Sequence, residues 1–177
     1  MKKDLVIGID SSTTATKATA WDSNGRLIAE ARVPIAMTND ARGQFEQDPA
    51  EWWSSTAGAL RALQEHFDLH RVAAVAISNQ RETFAIFDAD GNAPRNGIVW
   101  LDERGAQQID EFSHKVTTQR IHEICGKPVD VILPLFKMIW LQEHEPEIFE
   151  RIAHFSDVHG YLTYQLTGKW ITSVASA

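Results

Sequence analysis

Apolar residues recur along this chain at two spacings. Leu5, Val6, Ile7 and Ile9 form a β-branched run that reads as a buried strand. Residues 16–21 continue with β-compatible side chains, and the Asn24-Gly25 pair before a third run, 27–35, suits a tight hairpin turn. Three strands joined by short turns predict an antiparallel meander. Pro34 places the third strand at an edge, where its missing N–H interrupts no ladder. Residues 38–47 are polar and contain Gly43, so a loop is expected there. Asp48-Pro49-Ala50-Glu51 then opens a helix, with Asp48 as N-cap, Pro49 in the first position and Glu51 placed to answer the cap. Trp53, Thr56, Leu60, Leu63 and Phe67, at alternating steps of three and four, predict its buried face. The continuous apolar run 72–77 has the pattern of a central strand covered on both faces. Strand, helix, strand in this order predicts a right-handed crossover and parallel pairing with the first strand.

Past that strand the pattern breaks. Ser78-Asn79-Gln80-Arg81-Glu82-Thr83 inserts amide and charged groups before Phe84 resumes the apolar run. Ligands of open α/β sheets gather where strands end, and Arg81 donates a fork of N–H groups while Glu82 accepts, a combination suited to a polyhydroxylated ligand. A salt-bridged connection between two strands is the other reading. Residues 88–92 form a turn, 97–100 a short strand, and Asp102 is placed to cap a helix from about Glu103. Ile109, Phe112 and Val116 fit one helix, Leu135, Met138, Ile139 and Leu141 a second behind Pro134, and Pro146 starts a third. The segment from Gly160 reads as a short helix stopping at Gly168, after which residues 171–177 add neither a helix nor a polar tail, as expected of a fragment.

Composition narrows the class. With 177 residues, 44% hydrophobic and 23% charged, one globular domain with a real core is expected, and disordered or collagen-like chains are excluded. No apolar run approaches the roughly 18 residues of a membrane span, and Met-Lys-Lys-Asp leads straight into the first strand without a signal core, so the expected compartment is the cytoplasm. The lone Cys125 has no internal disulfide partner and is expected to be a packed thiol. A net charge of −7 argues against a nucleic-acid surface but leaves room for a nucleotide held by backbone amides, one cation and a metal. His144, His154 and His159 have no metal-binding spacing.

The candidate chemistry begins where the first strand ends. Asp10 is followed by Ser11, Ser12, Thr13 and Thr14, then by Lys17. Oriented N–H groups in such a turn form an anion-binding concavity, and a nearby ammonium adds charge. Asp10 has the chemistry to hold Mg²⁺, which favours one or two carboxylates together with phosphate oxygens. A polar hairpin with no ligand is the alternative, since hydroxyl side chains are ordinary turn residues.

Several motifs in order resemble the FGGY carbohydrate kinases, the group that contains glycerol and xylulose kinases. They are Gly8-Ile9-Asp10 with Thr13, Thr14 and Lys17; Glu46-Gln47-Asp48-Pro49 with Trp52-Trp53; Asn79-Gln80-Arg81-Glu82-Thr83; Ile98-Val99-Trp100 with Asp102 and Arg104; and Leu166-Thr167-Gly168. The resemblance spans the chain and implies an α/β actin-like ATPase domain of the ribonuclease-H type, a mixed five-stranded sheet with helices on both faces. Residues 1–177 would then be the family's N-terminal domain, cut before its natural end. It implies ATP and Mg²⁺ as cofactors, and as partners a sugar or polyol, the C-terminal domain of the parent chain and a second copy in a homodimer. Asp10 would position Mg²⁺ and its water, Thr13, Thr14 and Lys17 would approach the ATP phosphates, and Arg81, Glu82 and Trp100 would line the polyol pocket. Three departures stand out. Ser12 takes the place of a family glycine. Ile132 falls where glycerol kinases carry an aromatic residue, so their phenolic hydrogen bond is missing. The family's catalytic aspartate would lie beyond residue 177, so this chain alone is expected to be inactive. A non-catalytic binding module or pseudokinase is the competing reading, and the Glu-Gln-Asp-Pro and Trp-Trp match weighs against a hexokinase relative.

Overall fold

The structure is a computed structural model that describes residues 2–174; the chain end at 175–177 lies outside the described residues. In chain order the elements are β1 (Leu5–Ser11), β2 (Ala15–Asp22), β3 (Leu27–Pro34), β4 (Thr38–Asn39), β5 (Phe45–Gln47), α1 (Pro49–Leu63), β6 (Val72–Asn79), β7 (Phe84–Phe87), β8 (Gly97–Ile98), α2 (Ala106–Ser113), α3 (Thr118–Cys125), α4 (Pro134–His144), α5 (Pro146–Phe149), β9 (His154–Asp157) and α6 (Val158–Thr167). They fall into two compact units, one of Met1–Met37, Gln47–Arg81 and Ser156–Ala177, the other of Thr38–Glu46 and Glu82–Phe155. No helix among the described residues is long and apolar enough to cross a membrane.

The first unit is built on a four-stranded sheet in the order β3-β2-β1-β6. The predicted meander is present, and β6 runs parallel to β1 as the crossover required. β1 alternates strictly, with Leu5, Ile7, Ile9 and Ser11 buried and Val6 and Asp10 exposed. Its inner side chains pack with Ala18, Ala20 and Ala29 of the neighbouring strands and with Ala59 and Leu63 of α1. Alanines at the contact let the helix lie close to the sheet, and Ser55 of α1 meets the Thr16 hydroxyl at 2.8 Å. Asp48 caps α1 by accepting from the Ala50 N–H at 2.9 Å. Asp157 starts α6, whose end at Gly168 uses a left-handed φ of 73° that glycine adopts without strain.

The second unit holds a five-stranded sheet in the order β4-β5-β8-β7-β9. Phe84, Ile86, Ile98 and Leu141 form one of its cores, and Ile121, Leu133 and Phe136 another. Gly105, just before α2, admits no side chain: a Cβ there would sit 2.9 Å from the Phe136 carbonyl carbon.

Several expectations are corrected. The α/β class holds, but the strands divide into sheets of four and five instead of one mixed sheet of five, and α1 lies on the face of the first sheet that carries Ile7 and Ile9. The 72–77 run is not central: β6 is an edge strand with residues 73–76 exposed, because an apolar run alone does not say how many neighbours a strand has. Residues 38–47 contain two short strands paired across a turn, Thr38 with Glu46 and Asn39 with Phe45. The Glu51 carboxylate reaches the Ala36 N–H at 2.7 Å instead of answering the Asp48 cap. Of the two tryptophans it is Trp52 that is fully buried, which turns the predicted face by one position, and Phe67 lies past the end of the helix. Asp102 caps no helix, since α2 begins at Ala106, and Val116 falls beyond its end at Ser113. Cys125 is exposed at the end of α3 and not packed.

Candidate active site

The turn between β1 and β2 presents the first group of predicted residues. Asp10 pairs with Lys17 across the hairpin, so both project from the sheet face opposite Ile9 and Ala18. Ser12 closes the turn twice: its N–H and its hydroxyl both donate to the Ala15 carbonyl at 2.9 Å. The family's glycine is therefore replaced without a left-handed backbone, because Glu82 is the only non-glycine residue with positive φ among the described residues. Thr13 and Thr14 sit at the tip, Thr14 exposed. The Lys17 ammonium meets Glu30 of β3 at 2.7 Å, with both side chains nearly half in water.

Behind the tip lies a residue whose role the sequence reading missed. Gln47, 1% exposed, donates from Nε2 to the Thr13 carbonyl at 2.7 Å, while its Oε1 accepts from Trp52 Nε1 at 3.0 Å and from Gln80 Nε2 at 2.7 Å. One buried amide thus joins the hairpin tip, the start of α1 and the end of β6. Trp52 in turn meets Tyr161 of α6 edge-on, with ring centroids 6.1 Å apart. Arg81, the last residue of this unit, follows Gln80 directly and is exposed.

In the second unit, Glu82 has a φ of 62°, a left-handed conformation that strains a residue with a Cβ by about 1–3 kcal/mol and clusters at functional sites. Its carboxylate accepts from the Lys127 ammonium at 2.8 Å. The next residue, Thr83, is buried and accepts the Trp100 N–H at 3.0 Å, leaving the Trp100 indole 37% exposed. Ile132, also 36% exposed, confirms that no phenol stands at that position. Lys137 is fully buried, and its ammonium donates to the carbonyls of Val99 at 3.3 Å, Trp100 at 3.1 Å and Ile132 at 3.2 Å. Burial pushes its pKa down to about 8, opposed by the Asp102 carboxylate. Its sequence signal was a lysine set four residues from both Leu133 and Leu141, two buried positions of one helical stripe.

The remaining charges form a network. Arg104 is gripped by Asp102 through Nε at 2.8 Å and Nη2 at 2.8 Å, and Nη2 also reaches Glu46 at 2.7 Å. Glu46 accepts from Arg95 as well, whose other terminal nitrogen lies 3.1 Å from Glu145. Burial works against the Arg104 charge, but the hydrogen bonds to Asp102 and Glu46 outweigh it and hold the guanidinium above its ordinary pKa. Asp102 also accepts from the Phe45 N–H at 2.7 Å, which ties β5 to the loop before α2. These residues have no capacity left for a ligand; they set the backbone.

Comparison with known proteins agrees with this arrangement. The chain is 34% identical to a xylulose kinase of Streptomyces rubiginosus over 175 residues, covering 98% of this chain and 36% of that protein. It is 31% identical to a glycerol kinase of Symbiobacterium thermophilum over 178 residues, covering 95% of this chain and 35% of that one. The crystal structure of xylulose kinase from Rhodospirillum rubrum superposes with a TM-score of 0.92 at 25% identity, covering 97% of this chain and 36% of that chain. The chain therefore spans about a third of the length of the curated relatives it matches, and its fold is the actin-like ATPase fold of the sugar kinases. The model of the FGGY family of carbohydrate kinases, N-terminal domain, matches residues 5–177, and this chain belongs to that family.

Proposed function

We propose that this chain is the sugar-binding, N-terminal part of a cytoplasmic kinase that transfers phosphate from ATP to a hydroxyl of a sugar or polyol, with the C-terminal domain of the longer chain as its partner. The observation that carries the reading is the Gln47 amide, which fixes the hydroxyl-rich tip at Thr13 and the strand end at Gln80 to a single buried group. Two segments that a non-catalytic sugar sensor would not need together, one suited to phosphate and one to polyol, share one support.

The residues fit the expected cofactors. Asp10 is an exposed carboxylate beside the tip, and no group of three or more His, Cys, Asp or Glu side chains among the described residues forms a cage. One carboxylate with the rest of the shell from phosphate oxygens and water is the ordinary Mg²⁺ arrangement. When bound, ATP supplies the phosphoryl group and Mg²⁺ offsets its charge. Thr13, Thr14 and Lys17 bind the phosphates, Lys17 by exchanging Glu30 for them. Arg81 donates to sugar hydroxyls, Glu82 accepts from them, and the Trp100 face packs against the sugar's C–H edge. No residue of this chain is assigned as the catalytic base.

A coupled ADP-release assay over a panel of polyols and ketoses tests the proposal. The 177-residue chain should be silent, and a longer chain carrying it should turn over at least one substrate with ATP. Turnover by the short chain at the rate of the long one would place the base within these residues, and silence of both across the panel would favour a pseudokinase.

A further inference from the structure

We propose that Lys137 is a positioning residue for the sugar side: its ammonium holds the backbone of Val99, Trp100 and Ile132 in one arrangement and so fixes the wall that a sugar packs against. The inference rests on the kinase reading above. A lysine ammonium has three hydrogens, and here each meets a backbone carbonyl, from the loop after β8 and from the turn before α4. A fully buried lysine is usually paired with a carboxylate. This one instead joins two loops, and the residues it joins present their side chains outward, Trp100 37% and Ile132 36% exposed. The Trp100 backbone is held at both ends, its N–H on Thr83 and its carbonyl on Lys137, while its indole stays available. Fixed backbone behind a half-exposed aromatic face is what a pre-formed ligand wall requires.

The charged groups that act on this ammonium are Asp102 and Arg104 from the loop before α2, Glu82 from the segment before β7 and Asp130 from the turn before α4. Lys127 shares Glu82. The Asp102, Glu82 and Asp130 carboxylates favour the ammonium, Arg104 and burial oppose it, and burial dominates. With its pKa at about 8, Lys137 is mostly charged at neutral pH; as pH rises past that value it becomes an amine with two hydrogens and a lone pair facing three carbonyls. Sugar affinity should therefore fall on the alkaline side.

Two measurements on wild type and Lys137→Met decide the matter, methionine keeping the apolar stem. In amide hydrogen exchange on this chain, the segments around Trp100 and Ile132 should exchange about ten-fold faster in the variant while the β1–β2 hairpin is unchanged. In steady-state kinetics of the longer kinase chain, the variant should raise sugar KM about ten-fold with ATP KM within about two-fold. Wild-type sugar KM should climb above about pH 8, and the variant's should stay flat there. Unchanged exchange in those segments, or a sugar KM and pH profile equal to wild type, overturns the proposal. The wild-type pH series needs no variant, so a misfolded Lys137→Met leaves the test standing: a flat wild-type profile overturns the proposal as well. Absence of turnover on every sugar sinks the kinase reading, while the exchange arm still judges the clamp.

Discussion

On the hairpin of the first unit, Lys17 and Glu30 meet at 2.7 Å with 45% and 44% of their side chains in water; in the second unit Arg104 and Asp102 meet at 2.8 Å with 2% and 0%. The distances are nearly equal and the physics is not. In water each partner of the first pair keeps most of its hydration, so the contact is worth about 0–1 kcal/mol and is readily exchanged for a phosphate. In the second pair both charges have left water, and only a full set of hydrogen bonds makes that tolerable. Charge that is to meet a ligand stays loosely held, and charge that shapes the backbone is saturated.

The strongest way to break this comparison is at the buried end. Asp102→Ala removes every printed partner of Arg104 except Glu46 and strands the Phe45 N–H. It should lose about 3–5 kcal/mol in urea unfolding of this chain. A loss below about 1 kcal/mol would mean that the network relaxes and that burial does not separate the two pairs.

Gln47→Leu comes next. It keeps the volume and deletes three hydrogen bonds, leaving Gln80 and Trp52 without a shared acceptor. About 1–3 kcal/mol should be lost, and amide exchange should quicken at the hairpin tip. An equal loss with an unchanged tip would show that Gln47 supports α1 and not the phosphate turn.

Local rules carried much of the fold. The meander, the Asp48 cap, the parallel β6 and the stop at Gly168 follow from patterns within a few residues, and the sequence displays them openly. What stayed hidden depends on distant partners. Trp52 and Trp53 are adjacent, and only the Gln47 and Tyr161 contacts decide which turns inward. Asp102 looks like a cap until Phe45, far back in the chain, claims it. β6 has the composition of a central strand and the neighbours of an edge. Among the candidate site residues, Asp10 and Lys17 were legible because a strict two-residue period puts them on one face. The left-handed Glu82 and its Lys127 partner were not, because neither strain nor a loop-to-loop ion pair leaves a pattern in sequence.

Function sharpens the comparison further. Arg81→Ala in the longer kinase should weaken sugar binding about ten-fold or more, the usual scale for a charged hydrogen bond, with ATP affinity within about two-fold. Calorimetric titration with each ligand separates the two. Equal losses for both would make Arg81 part of the frame, alongside Arg104.

The smallest effect probes the exposed pair itself. Glu30→Ala frees Lys17 from its contact on β3 without exposing any buried group. Stability in urea should move by less than about 0.5 kcal/mol, since both side chains were already hydrated. ATP binding to the longer chain should respond in the opposite sense, tightening a few-fold at low salt because the ammonium no longer has to leave a carboxylate to meet a phosphate. The gain should shrink as ionic strength rises, with screening over about 10 Å at 0.1 M and about 3 Å at 1 M. A stability loss on the scale of Asp102→Ala would show that Glu30 holds the sheet, and a gain in ATP affinity insensitive to salt would show that Glu30 acts through hairpin shape instead of charge.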